Sequence, residues 1–167
     1  MLKKIYNKVT HEWDTSVEEA LKSFIRLPAL SPDFDKKWEE NGVLLKALED
    51  AQAWAEKQGI KGLRCEIIKD DGFTPCLFVE VDATSDKKFE RSVFFYGHLD
   101  KQPPNEGWDP DKSAWEPVIQ NGRLYGRGAV DDGKDSCFTI RGKQTDQNEQ
   151  NQKTECYGAY LIPEFCG

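Results

Sequence analysis

The amino-acid sequence predicts a layered α/β protein. In the first third of the chain, apolar residues recur at helical spacing, and after Gly62 the period changes to the alternation of β-strands. Helices that are followed by several strands, with loops at the strand ends, are expected to pack as layers around one core. A chain of 167 residues is long enough to form such a core without disulfide bonds.

Two helices are predicted before Gly62. The first covers residues 14–27, where Ser16 and Glu19 have the spacing of a capping box. Its apolar face consists of Val17, Ala20, Leu21, Phe24 and Ile25. The second covers residues 36–58, and Gly59 follows it at a position suited to a left-handed C-cap. Its apolar face consists of Trp38, Leu45, Leu48, Ala51 and Ala55.

Three strands are predicted next. Residues 63–69 and 75–81 alternate in polarity and are joined by a turn at residues 70–72. Residues 92–98 are apolar almost throughout, which is typical of a strand that is buried on both faces.

A second hairpin is predicted from residues 115–119 and 123–127. The dipeptide Asn121-Gly122 between them is the strongest short-range signal for a tight β-turn. After this hairpin the pattern changes, because residues 141–155 contain no apolar side chain and cannot bury a face. This stretch is therefore expected to be a solvated loop or disordered, and not an element of the core.

Composition excludes several classes of function. The chain has 23 Lys and Arg against 30 Asp and Glu, a net charge of −7, which argues against nucleic-acid binding. No run is long and apolar enough to cross a membrane, and the N-terminus lacks the apolar region of a secretory signal. The five cysteines include no C-x-x-C pair, so they are expected to be reduced thiols. We predict a soluble, cytoplasmic protein.

Two short segments contain residues suited to metal chemistry. His98 and Asp100 follow a predicted strand at a spacing that places both on one side, and a carboxylate commonly orients a metal-ligating imidazole. Asp131 and Asp132 are adjacent carboxylates between glycines, and a dication would neutralise their repulsion. Taken singly, each has a structural explanation: a half-buried His bonded to its neighbour, and a turn like the one at residues 70–72.

Together, these segments resemble a known family. Residues 93–108, followed by residues 115–133, closely resemble the M20 metallopeptidases. The Gln-Pro at 102–103 and the Gly-Trp at 107–108 are similar to the carnosinase-like dipeptidase and carboxypeptidase branch. The resemblance covers residues 14–133. It implies the N-terminal portion of an α/β catalytic domain of zinc-peptidase type with a layered, mixed β-sheet, which is incomplete in this chain.

The resemblance also implies roles for individual residues. His98 and Asp131 match metal ligands, Asp131 being the carboxylate that bridges two zinc ions. Asp100 matches a catalytic residue that orients the imidazole, and Asp132 follows Asp131 across a peptide bond that is usually strained. The implied cofactor is zinc, two ions per site, although cobalt or manganese suit the same ligands. The implied substrate is a small peptide, whose bond is hydrolysed by a metal-activated water.

The sequence departs from the family pattern after Gly133. The resemblance thus divides the chain into residues 1–133, the N-terminal part of a metallopeptidase catalytic domain, and a divergent, partly polar tail at 134–167. The chain has only two histidines, and His11 matches no ligand position, so the second metal lacks its imidazole. Glu164 lies 164 − 131 = 33 residues after Asp131, near the expected general base, but Phe165 follows it instead of a second carboxylate. The alternative is therefore a non-catalytic remnant with an incomplete metal half-site. We further expect that residues 134–167 are an altered ending and that the exposed sheet promotes self-association.

Overall fold

The computed structural model describes residues 2–83, 94–133 and 159–161. These residues form four α-helices, one π-helical turn and six short strands, and the predicted α/β class with a mixed sheet is confirmed. Within the described ranges, no helix has the length and apolar character needed to cross a membrane. The tail prediction for residues 134–158 and 162–167, including Glu164, lies outside the described residues.

The first predicted helix begins much earlier than residue 14. Helix α1 spans Leu2–Glu12, continues through a π-helical turn at Trp13–Val17, and leads into helix α2 at Glu18–Arg26. The capping-box prediction was wrong, because Ser16 lies inside this continuous helical segment. Its hydroxyl instead accepts a hydrogen bond of 3.3 Å from the Trp54 indole N–H.

The second predicted helix is divided in two. Helix α3 covers Trp38–Asn41 and helix α4 covers Val43–Glu56, and Gly42 between them has a left-handed φ of 67°. The predicted C-cap at Gly59 has the expected left-handed φ of 66°. The residues of helix α4 that are buried are Leu44, Ala47, Leu48 and Ala55. Because the helix restarts after Gly42, its apolar face differs from that of one continuous helix.

The main sheet contains four strands in the order β1-β2-β6-β3. Strands β1 (Leu63–Ile68) and β2 (Cys76–Val81) form the predicted hairpin. Strand β6 (Ala159–Leu161) pairs antiparallel with β2 and parallel with strand β3 (Phe95–Gly97). Strand β6 therefore provides the hydrogen-bonded link between the hairpin and β3.

Strand β3 is not buried on both faces, and this prediction was wrong. Phe94, Phe95 and Tyr96 are all exposed, and only Gly97 in the strand is buried. Among the described residues β3 is the last strand of its sheet, so its apolar side chains are not enclosed between layers.

The second predicted hairpin is confirmed. Strands β4 (Val118–Gln120) and β5 (Arg123–Tyr125) pair antiparallel. Asn121 and Gly122 both have positive φ, at 53° and 72°, as a type I′ turn requires. This hairpin leads directly into residues 126–133, the glycine-rich segment that carries Asp131.

The hydrophobic core lies between the helices and the main sheet. Helix α4 packs on strands β1 and β2, with Leu48 and Leu77 fully buried at the contact. A second cluster places Leu21 and Ile25 of helix α2 against Ala129. Helix α2 therefore packs against the segment that follows strand β5, which contains Ala129.

Candidate metal centre

The imidazole of His98 is held from one side by Asp100. His98 follows strand β3, and its Nδ1 lies 3.2 Å from Asp100 Oδ1 and 3.1 Å from the Asp100 carbonyl oxygen. Asp100 is 5% exposed. Since these contacts occupy Nδ1, they fix the ring so that Nε2 points away from Asp100.

Asp131 lies against the other ring nitrogen. Its Oδ1 is 3.2 Å from His98 Nε2, and its side chain is 71% exposed. The structure therefore brings together His98, Asp100 and Asp131, the three site residues expected from sequence. Sequence reasoning assigned no contact to Asp132, whose Oδ2 accepts a 3.1 Å hydrogen bond from the His98 backbone N–H. The peptide bond between Asp131 and Asp132 is cis.

Glycines allow the segment at residues 126–133 to lie directly on helix α2. A Cβ at Gly126 would be 2.5 Å from Ile25 Cγ2, and a Cβ at Gly133 would be 2.7 Å from the Phe24 ring. Gly126 and Gly128 also have positive φ, at 153° and 84°. Close approach and backbone conformation both require glycine here.

Lys101 is a second residue that the sequence reasoning missed. It is 2% exposed, and its ammonium group donates hydrogen bonds to carbonyl oxygens at the end of helix α2. A lysine one residue after Asp100 has the pattern of an exposed loop, so no sequence signal indicated its burial.

Neighbouring groups and burial shift the pKa values of His98 and Lys101. The hydrogen bond with the Asp100 carboxylate is the largest cause that raises the pKa of His98 to about 9. Burial opposes this effect, and the charge of Asp131 adds to it. Burial lowers the pKa of Lys101 to about 7.

The donor chemistry of the cluster fits half of a zinc site. Two ligands of a tetrahedral zinc ion, each at roughly 2.0–2.1 Å, are separated by about 3.3 Å, close to the 3.2 Å between His98 Nε2 and Asp131 Oδ1. Asp100 supplies the carboxylate that such an imidazole usually bonds. Within residues 2–83, 94–133 and 159–161, however, no group of three or more His, Cys, Asp or Glu side chains could hold a metal ion.

Comparison with known proteins relates part of the chain to a peptidase family. Residues 94–138 match Peptidase family M20/M25/M40, and this segment contains all of the residues that form the cluster. Over 118 residues, 69% of this chain, the sequence is 30% identical to a succinyl-diaminopimelate desuccinylase of a Nitratiruptor species. The chain is therefore similar to M20 peptidases over part of its length. It is also 57% identical over 37 residues to a desuccinylase of the same name from Acidiphilium cryptum.

Solved structures share the fold of this chain. Human carnosine dipeptidase 1 superimposes with a TM-score of 0.71 at 20% identity, covering 98% of this chain and 34% of that protein. The di-peptidase Dug1p from Saccharomyces cerevisiae gives a TM-score of 0.64 at 19% identity, covering 97% of this chain and 34% of that protein. The fold class expected for an M20 catalytic domain is thus confirmed.

The chain spans only part of each relative. It covers 26% of the length of the Nitratiruptor desuccinylase and 9% of the Acidiphilium enzyme. The matched region nevertheless includes the segment with His98, Asp100 and Asp131.

Proposed function

We propose that this chain carries part of the metal centre of an M20 hydrolase that cleaves a dipeptide or a C-terminal peptide bond. His98 and Asp131 are the proposed metal ligands, and Asp100 is the group that positions the imidazole. The observation that supports this proposal is the placement of His98 between two carboxylates, one on each ring nitrogen.

Each side chain has a defined task in this proposal. Asp100 accepts the Nδ1 proton of His98, so that the lone pair of Nε2 is available on the side where Asp131 lies. Asp131 is exposed and supplies a negative charge next to that lone pair. When bound, zinc would act as a Lewis acid and lower the pKa of water toward neutrality. Cobalt or manganese would suit the same nitrogen and oxygen donors.

The substrate is proposed to be an amide. The curated relatives are named for removal of a succinyl group from diaminopimelate, and the solved structures are named as dipeptidases and a carboxypeptidase. Hydrolysis of a carbon–nitrogen amide bond is common to these names. A small dipeptide and an N-succinyl amino acid are therefore the two substrate classes to test first.

A non-catalytic remnant that binds one metal weakly is the second candidate. It is favoured by the absence of a third donor group among the described residues, because a complete two-metal site needs additional ligands on both ions. Metal stoichiometry distinguishes the two functions: two tightly bound ions favour the hydrolase, and one loosely bound ion favours the remnant.

The experiment measures zinc stoichiometry and hydrolysis of a dipeptide panel and an N-succinyl amino acid by the full chain. Asp131→Ala is the test variant, and Asp71→Ala is its control, because Asp71 belongs to an exposed Asp-Asp-Gly turn in the β1–β2 hairpin. We expect zinc binding that Asp131→Ala lowers and Asp71→Ala leaves unchanged. Equal binding by all three proteins would overturn the assignment of Asp131.

A further inference from the structure

We propose that Lys101 is a positioning residue, which fixes the glycine-rich segment 126–133 on the end of helix α2 and so holds Asp131 and Asp132 against His98. This inference goes beyond the ligands themselves and rests on the proposed function only where metal binding is concerned.

The first step is the contact between Lys101 and helix α2. Its Nζ lies 2.5 Å from the carbonyl oxygen of Phe24, 2.7 Å from that of Leu27 and 3.4 Å from that of Ile25. The last carbonyl groups of an α-helix lack the usual N–H donor four residues later, and the helix dipole gives this end a partial negative charge. A buried ammonium group satisfies both requirements at once. The Phe24 carbonyl also accepts a hydrogen bond of 3.1 Å from the Leu27 N–H, so Lys101 is its second donor.

Aromatic rings enclose the same ammonium group. Nζ lies 3.9 Å from the centre of the Phe24 ring and 5.5 Å from that of Trp115. A cation near the face of a desolvated ring is attracted by its π-electrons. The Lys101 head group is therefore held in one place by oxygens and rings that belong to two separate parts of the chain.

The second step is the contact between Lys101 and the glycine-rich segment. A Cβ at Gly128 would lie 2.9 Å from Lys101 Cε and 3.1 Å from Phe24 Cε1. The Gly128 carbonyl in turn accepts a hydrogen bond of 3.2 Å from the Gly133 N–H. The methylene groups of Lys101 and the ring of Phe24 thus form the surface on which this segment lies.

The third step connects the lysine to the site through its own backbone. Its N–H donates to the Ala29 carbonyl at 2.8 Å, and its carbonyl accepts from the Ser31 N–H at 3.0 Å. Asp100 directly precedes Lys101, and His98 lies three residues before it. Movement of Lys101 would therefore disturb both sides of the site: the residues that follow β3, and the segment that carries Asp131.

The test compares Lys101→Met with Val81→Ala in the full chain. Methionine keeps a buried apolar stem and removes the ammonium group, whereas Val81 belongs to a separate core cluster with Ala55 and Ile60. Amide hydrogen exchange in metal-free protein is one measurement, and Co²⁺ affinity from its absorption spectrum is the other. We expect Lys101→Met to accelerate exchange at His98 and Gly133 by about tenfold or more, and to weaken Co²⁺ binding about 10–100-fold.

A second pair of variants covers the case in which Lys101→Met does not fold. Gly128→Ala places a methyl group against Lys101 at φ 84°, and Gly72→Ala adds the same strain at φ 79° where a Cβ would meet no described atom within 4 Å. Of these two variants, only Gly128→Ala should accelerate amide exchange at His98 and Gly133. The inference would be overturned if Lys101→Met matched Val81→Ala, and Gly128→Ala matched Gly72→Ala, in both amide exchange rate and Co²⁺ affinity.

The exchange measurement separates this inference from the proposed function. If the unmodified chain binds no Co²⁺ and Lys101→Met still accelerates exchange at His98, the positioning role stands and the metal site is refuted. If the unmodified chain binds Co²⁺ and neither variant changes exchange or affinity, the metal site stands and the role of Lys101 is refuted.

Discussion

Asp132 Oδ2 accepts a hydrogen bond of 3.1 Å from the backbone N–H of His98, across 34 positions of sequence. This bond joins the end of strand β3 to the glycine-rich segment independently of the side chain of His98. Removal of a charged acceptor from a half-buried N–H costs about 1–3 kcal/mol. We expect Asp132→Ala to lower the free energy of unfolding by about that amount, measured by urea titration.

Asp132→Asn provides the matched control, because the amide oxygen can still accept the bond from His98. It should recover most of the stability that Asp132→Ala loses. An unfolding free energy of Asp132→Ala that equals that of the unmodified chain would show that this bond contributes nothing to the fold.

Zinc affinity should increase with pH. A metal ligates the neutral imidazole, and the carboxylates around His98 raise its pKa to about 9, so below that pH zinc must displace a proton. Affinity is expected to rise about tenfold per pH unit up to about 9 and then to level off. Calorimetric titration with zinc at a series of pH values from 6.5 upward measures this slope. The control variant His11→Gln should show the same slope. A zinc affinity that does not change with pH would refute the prediction.

The stability of the metal-free protein should decrease as the pH rises, whereas the zinc affinity increases. The pKa of His98 in the folded state, about 9, lies above its ordinary value of 6.5. Protonated His98 therefore stabilises the metal-free fold fully below about pH 6.5, and this contribution is lost as the pH rises through 9. Urea unfolding of the metal-free chain should show a decrease across this window that is absent in His98→Gln.

Gly126→Ala should destabilise the fold more than Gly107→Ala. Both glycines have positive φ, so alanine strains the backbone at either position. At Gly126 the new Cβ would also lie 2.5 Å from Ile25 Cγ2 in the core, whereas at Gly107 it would meet no described atom within 4 Å. Overpacking adds about 1–3 kcal/mol. Equal unfolding free energies for the two variants would contradict the close contact with helix α2.

Cys65 should react slowly with alkylating reagents. Burial is the larger cause that raises its pKa to about 11, and the charge of Glu56 adds to this effect. Because the thiolate is the nucleophile, the rate at pH 8.5 should be about 100-fold below that of a free thiol. Iodoacetamide labelling with peptide mapping by mass spectrometry measures it, and the chain unfolded in guanidinium is the control. Labelling at the same rate in the folded and unfolded chains would contradict the burial of Cys65.

We expect the chain to self-associate through the exposed aromatic residues at strand β3. Phe94 is 57% exposed and Tyr96 is 49% exposed, and adjacent exposed apolar side chains favour association. Sedimentation velocity over a range of concentrations should show association that Phe94→Ser reduces. Phe73→Ser is the control, because Phe73 is similarly exposed in the turn between β1 and β2, neither of which pairs with β3. An effect of the same size in both variants would mean that β3 is not the contact.

The sequence was most informative where local chemistry determines structure. Asn121-Gly122 specifies a turn by its own backbone preferences, and the β4–β5 hairpin formed as expected. His98 and Asp131 were expected to meet because their motifs resemble a family, and their side chains are in contact. Local alternation of polarity likewise predicted strands β1 and β2 to within one residue at each end.

The features that the sequence did not predict depend on packing between distant segments. Lys101 is buried only because the end of helix α2 and two aromatic rings surround it. Exposure of strand β3 depends on which strands lie beside it, which apolar composition does not reveal. The division of the second helix at Gly42 was missed because one glycine is often tolerated within an otherwise helical pattern.

The position of strand β6 has a consequence for the order of events during synthesis on the ribosome. Residues 159–161 are made long after residues 63–81 and 95–97, yet they lie between them in the sheet. A nascent polypeptide that has emerged only as far as Gly133 contains strands β2 and β3, but it lacks strand β6, which lies between them. Until residue 161 leaves the exit tunnel, both flanking strands keep open edges, which exposes them to chaperones and to other nascent chains.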